Sequence, residues 1–242
     1  MNFSLEIGPH NDIDTLPAVK DVYITLLPGG DYVETAKKAG DLSKKGFNPV
    51  PHFPARSIEN EAQLKEYVSR CKDLGVKQTL VIGGSREPVG DFESSIQLLE
   101  TGYFDGMKIG IAGHPEGSPD ISNSDLKKAM KDKKPYADYI VTQWLLDPQP
   151  IIDFISKQSV PVHVGITGPL KITSLIKFAN IVGAKNSLNF LKSNFSKALD
   201  LIKPKDPNDL IGKVKKFTNN FHIYTFGDLK ETNKWLKENN YV

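Results

Sequence analysis

Residues 80–88 read LVIGGSREP, and residues 109–120 read IGIAGHPEGSPD. Each is an apolar run that stops on glycine and then turns polar. A run that is apolar on both faces is the mark of a strand buried in a parallel sheet. The serine, arginine, histidine and glutamate just past the glycines then belong to a loop at its carboxyl end. The same pattern recurs along the chain. Candidate strands cover 2–7, 21–27, 47–53, 78–84, 107–113, 138–143, 160–166 and 221–226. Amphipathic stretches at 32–46, 59–75, 92–102, 123–133, 148–158, 173–183 and 229–240 separate most of them, and several end on glycine.

Eight strands, mostly followed by helices, predict an α/β fold: a (β/α)8 TIM barrel in a single domain over residues 1–242. An open doubly wound sheet is the alternative, but the first strand runs into IGPHND where that fold carries Gly-x-Gly-x-x-Gly. Residues 186–217 read as two extra C-terminal helices around KPKDP, packed on the barrel and on another subunit of a homo-oligomer.

The chain has 242 residues, with 31 basic against 29 acidic side chains and a formal charge of +2, which gives no footprint for nucleic acid. Cys71 stands alone, so no internal disulfide forms, and its helical setting reads as a small buried hydrophobe. No apolar run approaches 18 residues, and the opening MNFSLEIGPHND has neither a basic nor an apolar leader segment, so no membrane association and a cytoplasmic location are expected.

In such a barrel the chemistry sits at the carboxyl ends of the strands. Those ends collect Glu6, Thr25, His52, Arg56, Ser85, His114, Glu116, Gln143 and Thr167. They offer no clustered histidines with metal spacing and no Gly-x-Ser-x-Gly elbow, so neither a metal centre nor a serine hydrolase is indicated. An aldolase would want a lysine at a strand end, and Lys108 lies at the wrong end of its strand. His52 reads as a satisfied core histidine, and His163 and His222 as barrel-interior packing groups.

SLEIGP (4–9), PHFPAR (51–56), VIGGS (81–85), GIAGHPEGSPD (110–120), DYIVTQWLLD (138–147), VHVGITGPLKITSLIKFANIVG (162–183) and NFHIYTFGDLKETNKWL (220–236) follow in fixed order. The series resembles the methylenetetrahydrofolate reductase family, especially its short bacterial members, over nearly the whole chain. The resemblance implies an oxidoreductase of one-carbon metabolism that interconverts 5,10-methylene- and 5-methyl-tetrahydrofolate. It implies FAD as hydride carrier, NADH or NADPH as electron donor or acceptor, and a tetrahydrofolate derivative as substrate.

Glu6 matches the acid that protonates the folate N10. That task calls for a raised pKa, which flanking Leu5 and Ile7 are expected to supply by desolvation. Gln143, with Trp144 beside it, matches the amide on the pterin edge, and Thr167 joins them as a substrate contact. Thr25, His52, Gly84 and Ser85 fall around the flavin. His114 and Glu116 lie in the segment that wraps it, Asp125 near its ribityl or ribose, and Arg56 near an anionic group. Three positions depart from the family. Ser85 stands where the family carries an aspartate, Ser118 replaces a second loop histidine, and Asp132 stands where a basic residue holds the flavin diphosphate, leaving Lys131 or Lys133 to substitute. These departures keep open a non-catalytic or flavin-free folate-binding barrel, acting as a subunit of a methyl-transfer or demethylation system.

Overall fold

The computed structural model describes residues 1–84, 87–118, 121–171, 173–176 and 204–242. Eight parallel strands close into a barrel: β1 (Asn2–Ile7), β2 (Asp21–Ile24), β3 (Asn48–Pro54), β4 (Gln78–Ile82), β5 (Lys108–Gly113), β6 (Tyr139–Trp144), β7 (Val162–Thr167) and β8 (Asn220–Tyr224). Each strand pairs with its sequence neighbours, and β8 closes the ring onto β1 through the register Asn2↔Asn220 to Glu6↔Tyr224. Helices among the described residues include α1 (Tyr32–Lys44), α2 (Glu61–Asp73), α3 (Ser95–Glu100), α4 (Asn123–Lys133), α5 (Pro148–Ile155), α6 (Asn208–Val214) and α7 (Leu229–Glu238). A 3-10 turn (Ile13–Thr15) takes the place of a helix between β1 and β2. Leu170–Lys171 and Pro204–Lys205 pair as a small antiparallel ribbon.

The strand pattern explains the layering. Leu5, Ile7, Val22, Ile24, Phe53, Val81, Ile111, Ile140, Val164, Ile166, Phe221 and Ile223 join the helices in one apolar cluster around the barrel. Alternate strand positions form a second cluster, Tyr23, Val50, Leu80, Tyr139 and Val141, which fills the interior. Below it, Asp21 accepts from Asn48 at 2.7 Å and from Gln78 at 3.2 Å and seals the amino end of the barrel. The strand–helix connections end in side-chain caps: Asp31 accepts from Val33 N, Asn60 from Gln63 N, and Asp147 from Gln149 N. At the other end of α2, Gly75 (φ +81°) turns the chain so that its N–H reaches the Lys72 carbonyl and that of Val76 reaches the Cys71 carbonyl.

All eight expected strands are present, but three stop early, among them β8, which ends at Tyr224 rather than at 226. β2 ends at Ile24 rather than at 27, where the chain leaves through Pro28 and Gly29 (φ +78°). β4 ends at Ile82 because Gly84 takes φ +93° and the Gly83 carbonyl turns to accept from Arg56 N. Of the two helices expected within 186–217, the second appears as α6, and the first lies outside the described residues. Among the described residues no helix is long and apolar enough to cross a membrane.

Gly110 makes the interior packing possible. A Cβ there would lie 2.4 Å from Cε2 and 2.5 Å from Cζ of Tyr139, the residue it pairs with on β6. Gly110→Ala is expected to lower stability by about 1–3 kcal/mol, as overpacking of a rigid core does, measured by urea unfolding. A neutral result would mean that the Tyr139 ring moves freely inside the barrel.

Candidate functional site

Strand alternation places Ser4 and Glu6 on one face of β1, and barrel closure sets them beside His222 and Tyr224 of β8. Glu6 is 20% exposed, and its Oε2 lies 3.5 Å from His52 Nε2 and 3.6 Å from His222 Nε2. Both histidines are buried, and neither Nε2 has a hydrogen-bond partner. The outer nitrogen of His222 is tied down, with Nδ1 3.0 Å from Ser4 Oγ. In the tautomer protonated at Nε2, Ser4 donates to Nδ1 and the Nε2 hydrogen faces Glu6. Tyr23 packs edge-on to His222 at 4.3 Å, and Tyr224 does so at 4.8 Å from the other side. Tyr67 of α2 donates to the His52 carbonyl at 3.1 Å and fixes that strand position from behind.

Burial alone would raise the Glu6 pKa, as its apolar flanks lead one to expect. The polar contact with His222 and the charges of His52 and His222 outweigh burial and leave the carboxyl below its ordinary value. The expectation of a raised acid is therefore corrected: Leu5 and Ile7 face the helices, while the groups around the carboxyl head are imidazoles. His52 moves in the opposite direction to a charged partner, lowered by burial although Glu6 partly offsets it. It is not a satisfied core histidine, because its Nε2 points unpartnered at Glu6.

Gln143 owes its setting to a β-bulge. Between Val141 and Trp144 the β6–β7 register shifts, with three steps on β6 against two on β7. Gly165 N donates to Thr142 Oγ1 at 2.8 Å, Thr142 Oγ1 donates to the Gln143 carbonyl at 2.9 Å, and Tyr224 Oη donates to the Thr142 carbonyl at 2.9 Å. Only glycine fits at 165, since a Cβ would lie 2.5 Å from both carbonyl oxygens. The bulge leaves Gln143 Oε1 buried without a partner. Trp144 is buried beside it, edge-on to Phe226 at 6.0 Å, and Phe226 stacks on Tyr224. Phe226 holds φ +46°, a conformation rare outside glycine and a mark of functional loops.

The other expected residues divide. Thr25 is bound to β1, its N and Oγ1 both donating to the Ile7 carbonyl at 2.9 and 3.3 Å. Thr167 is buried at the end of β7, in register with Tyr224. Gly84 packs on Arg56, whose Nε donates to the Glu93 carbonyl at 3.0 Å. His114 and Glu116 are half-buried in the β5–α4 loop. Burial, reinforced by the charge of Lys133, pushes the His114 pKa down to about 4. Asp125 is exposed and belongs to the helix cap, accepting from Ser122 Oγ at 2.6 Å while its own N–H donates back. Lys131 is exposed, and the lysine of α4 turned toward the barrel is Lys133. Ser85 lies outside the described residues.

The mouth thus brings together Glu6, His52, His222, Gln143, Trp144 and Thr167, while Asp125 and Lys131 stand apart. Sequence reading assigned His222 to packing and passed over Ser4 and Tyr224. The available signal was spacing: Ser4 and Glu6, like His222 and Tyr224, are two apart and share a strand face. Among the described residues no group of three or more His, Cys, Asp or Glu is placed to hold a metal ion.

The unpartnered Nε2 and Oε1 atoms fit a flat heterocycle with donors and acceptors along its edge, and Gly83 leaves open space, with nothing within 4 Å of an added Cβ. The tail of FAD is another matter. Lys131 faces solvent, Asp125 caps a helix, and Arg56 is held by a backbone carbonyl, so these residues do not fit the part of its holders.

Desolvated histidines make the fold acid-sensitive. His52 is lowered, and His114 and His163 are pushed to about 4, each chiefly by burial. The unfolded chain takes up these protons near the ordinary value of 6.5 and the folded chain does not, so stability falls as pH drops from 6.5 toward 4. Melting temperatures measured across that window should fall steadily, and His163→Gln should flatten the decline. A flat wild-type profile would mean that these rings are solvated.

No protein-family model matches the chain. It is 28% identical over 151 residues to methylenetetrahydrofolate reductase 2 of Saccharomyces cerevisiae, and 27% identical over 159 residues to methylenetetrahydrofolate reductase 1 of Schizosaccharomyces pombe. Those stretches are 54% and 58% of this chain but 24% and 26% of the yeast proteins, so the match spans about a quarter of the length of these curated relatives. Solved structures with similar folds include 2,3-dimethylmalate lyase, a PEP mutase/isocitrate lyase superfamily member (TM-score 0.59, 6% identity, 98% of this chain and 80% of that one). Oxaloacetate acetylhydrolase aligns at TM-score 0.58 and 9% identity over 100% of this chain and 81% of that one. At such identities the likeness shows the fold alone. The chain is an α/β barrel with partial sequence similarity to methylenetetrahydrofolate reductases of yeasts.

Proposed function

We propose that the chain is an oxidoreductase of one-carbon metabolism that interconverts 5,10-methylene- and 5-methyl-tetrahydrofolate. The observation that carries this reading is the half-buried carboxylate of Glu6 between two imidazoles, in a barrel mouth that also presents the unpartnered amide oxygen of Gln143. The partial similarity to the yeast reductases supports it. A pterin edge alternates donors and acceptors and is matched by one neutral amide, which Gln143 supplies. Trp144, Tyr224 and Phe226 give the same mouth an aromatic wall.

In this reaction the folate N10 must gain a proton before the methylene bridge opens. A lowered Glu6 does not hold that proton beforehand. Glu6 takes it up from solvent. The bound substrate, by screening the carboxyl from water, raises its proton affinity until it passes the proton to N10. The imidazoles of His52 and His222 hold the carboxyl in place. Ser4 keeps the His222 ring oriented, and Tyr67 holds the His52 backbone, so the cluster is rigid before substrate arrives. A reduced nicotinamide would supply the hydride. The part of the chain is to place the substrate ring and to govern the proton.

Glu6→Gln is expected to slow the conversion by about a hundredfold or more while tetrahydrofolate binding changes little, checked by product chromatography beside fluorescence titration. His222→Gln should slow it as well and shift the pH–rate profile. Full turnover in Glu6→Gln would remove Glu6 as the acid. A wild-type chain that binds methyl-tetrahydrofolate without turnover, supplied with either nicotinamide and with FAD, would instead be a folate-binding barrel.

A further inference from the structure

The formal charge of +2 conceals a segregation of charge along the barrel axis. The turns that follow β2, β3, β4, β5 and β6, at the mouth end, hold no lysine, and their acids include Asp31, Glu59, Asp91 and Asp147. The amino end is the reverse. Every strand from β2 to β8 has a lysine in the connection before it or at its first residue. Helix dipoles account for Lys44 and Lys72, which sit in the last turns of α1 and α2. They do not account for Lys20, Lys77 and Lys108, which stand exposed at the entrances of β2, β4 and β5.

The basic face is densest before β6, β7 and β8, which are neighbours in the ring. Lys157, Lys215 and Lys216 are exposed there, and the half-buried Lys134 donates from Nζ to the Lys157 carbonyl at 3.5 Å, linking two of the turns. Among the described residues the lysines in ion pairs are Lys37, Lys44, Lys45, Lys128 and Lys234, so these four are unpaired. The acids of this end do little to offset them. Asp41 is taken by Lys37 and Lys44, Asp138 accepts from Ile109 N, and Asp21 is half-buried among the amides of Asn48 and Gln78. Asp73 and Asp105 are exposed on the far side of the ring, before β4 and β5. Two large apolar side chains stand out among the same lysines: Phe217, 49% exposed and directly after Lys216, and Tyr136, 39% exposed and two residues after Lys134. Three adjacent strand entrances span about 10 Å, so cations and apolar tips share one patch.

We infer that the amino end of the barrel docks on an anionic lipid surface, with its lysines among the head groups, Phe217 and Tyr136 at the interface, and the mouth turned to solvent. Charge complementarity calls for an anionic partner, and three features select lipid. The cations of this face are lysines, while arginine stands only at positions 56, 70 and 86. Flexible point charges suit a fluid array of head groups, whereas nucleic acid is read best by the planar fork of arginine. Lysine is depleted from protein interfaces, which argues against an acidic protein. Exposed aromatic tips beside basic residues are the composition of an interfacial anchor. The contact is peripheral and asks for no apolar run of the length that crosses a bilayer.

The test is co-sedimentation of the full chain with vesicles of phosphatidylcholine alone and of phosphatidylcholine with phosphatidylserine at about three to one, across about 0.05 to 0.5 M salt. The expected result is binding to the anionic vesicles alone, weakening as salt rises. Each lysine near the surface strengthens binding about fivefold, so the triple variant Lys157→Gln, Lys215→Gln, Lys216→Gln should bind about a hundredfold more weakly. Phe217→Ser should weaken binding at every salt concentration, because it removes the apolar contribution. These side chains are exposed, so the variants are expected to keep the wild-type melting temperature. Orientation is read from Phe217→Trp, whose emission should be quenched by brominated lipid, and from Leu27→Trp at the mouth end, 64% exposed in the wild type, whose emission should not.

Absence of binding to the anionic vesicles at low salt, equal binding to the neutral ones, or undiminished binding by the triple variant would overturn the docking. Tighter binding to duplex DNA or to polyglutamate than to vesicles would overturn it as well, and would give the face to a nucleic acid or to an acidic protein. Quenching of Leu27→Trp in place of Phe217→Trp would put the mouth end on the lipid and refute the orientation. Turnover enters none of these readouts, so failure of the reductase reading leaves them unaffected.

Discussion

The pairing of β1 with β8 is the constraint on which the rest depends. Five residue pairs, from Asn2↔Asn220 to Glu6↔Tyr224, convert a twisted sheet into a ring and leave no exposed edge. The same five pairs build the mouth, since they set Ser4 and Glu6 against His222 and Tyr224. A slip of one residue would move every side chain of β1 to the opposite face and exchange Glu6 for Leu5 or Ile7. The apolar cluster outside the barrel and the aromatic cluster inside it both resist that slip, so packing and chemistry are fixed by one register.

Electrostatics inside the barrel follow from what burial meets. Glu6 is desolvated yet lowered, because two imidazoles face it. Lys133 is desolvated and lowered to about 8 by burial. Cys71 is desolvated and raised to about 12, an inert thiol behind α2. Burial acting alone sets the shift of Lys133 and Cys71, and close partners reverse it at Glu6.

Much of this was legible in the sequence. Strands apolar on both faces announced a parallel closed sheet, and glycines after β4 and β5 marked where the strands end and loops begin. Glu6 and Gln143 were readable as strand-end polar residues. His222 was not readable as their companion, because it lies 218 residues from Ser4 and only closure brings them together. The raised acid expected of Glu6 failed for the same reason: its sequence neighbours are apolar, and its spatial neighbours are not. On α4, Lys131 and Lys133 sit about 200° apart around the helix, and sequence context left both available. The stripe through Leu126 and Met130 would have chosen Lys133, but a lysine on an apolar stripe reads as an interruption until the burial is seen.

The bulge in β6 also bears on how this chain tolerates insertions and deletions. It is an extra residue held in place by the Thr142 hydroxyl and by the bare backbone of Gly165. Loss of one residue here would restore a regular ladder and send Trp144 to the opposite face of the sheet. The surrounding loops can lengthen or shorten with little effect on the ring, whereas β6 is fixed in length by a count of three against two. A change of length in β6 would displace the amide at position 143, whereas one in a βα loop would leave it in place.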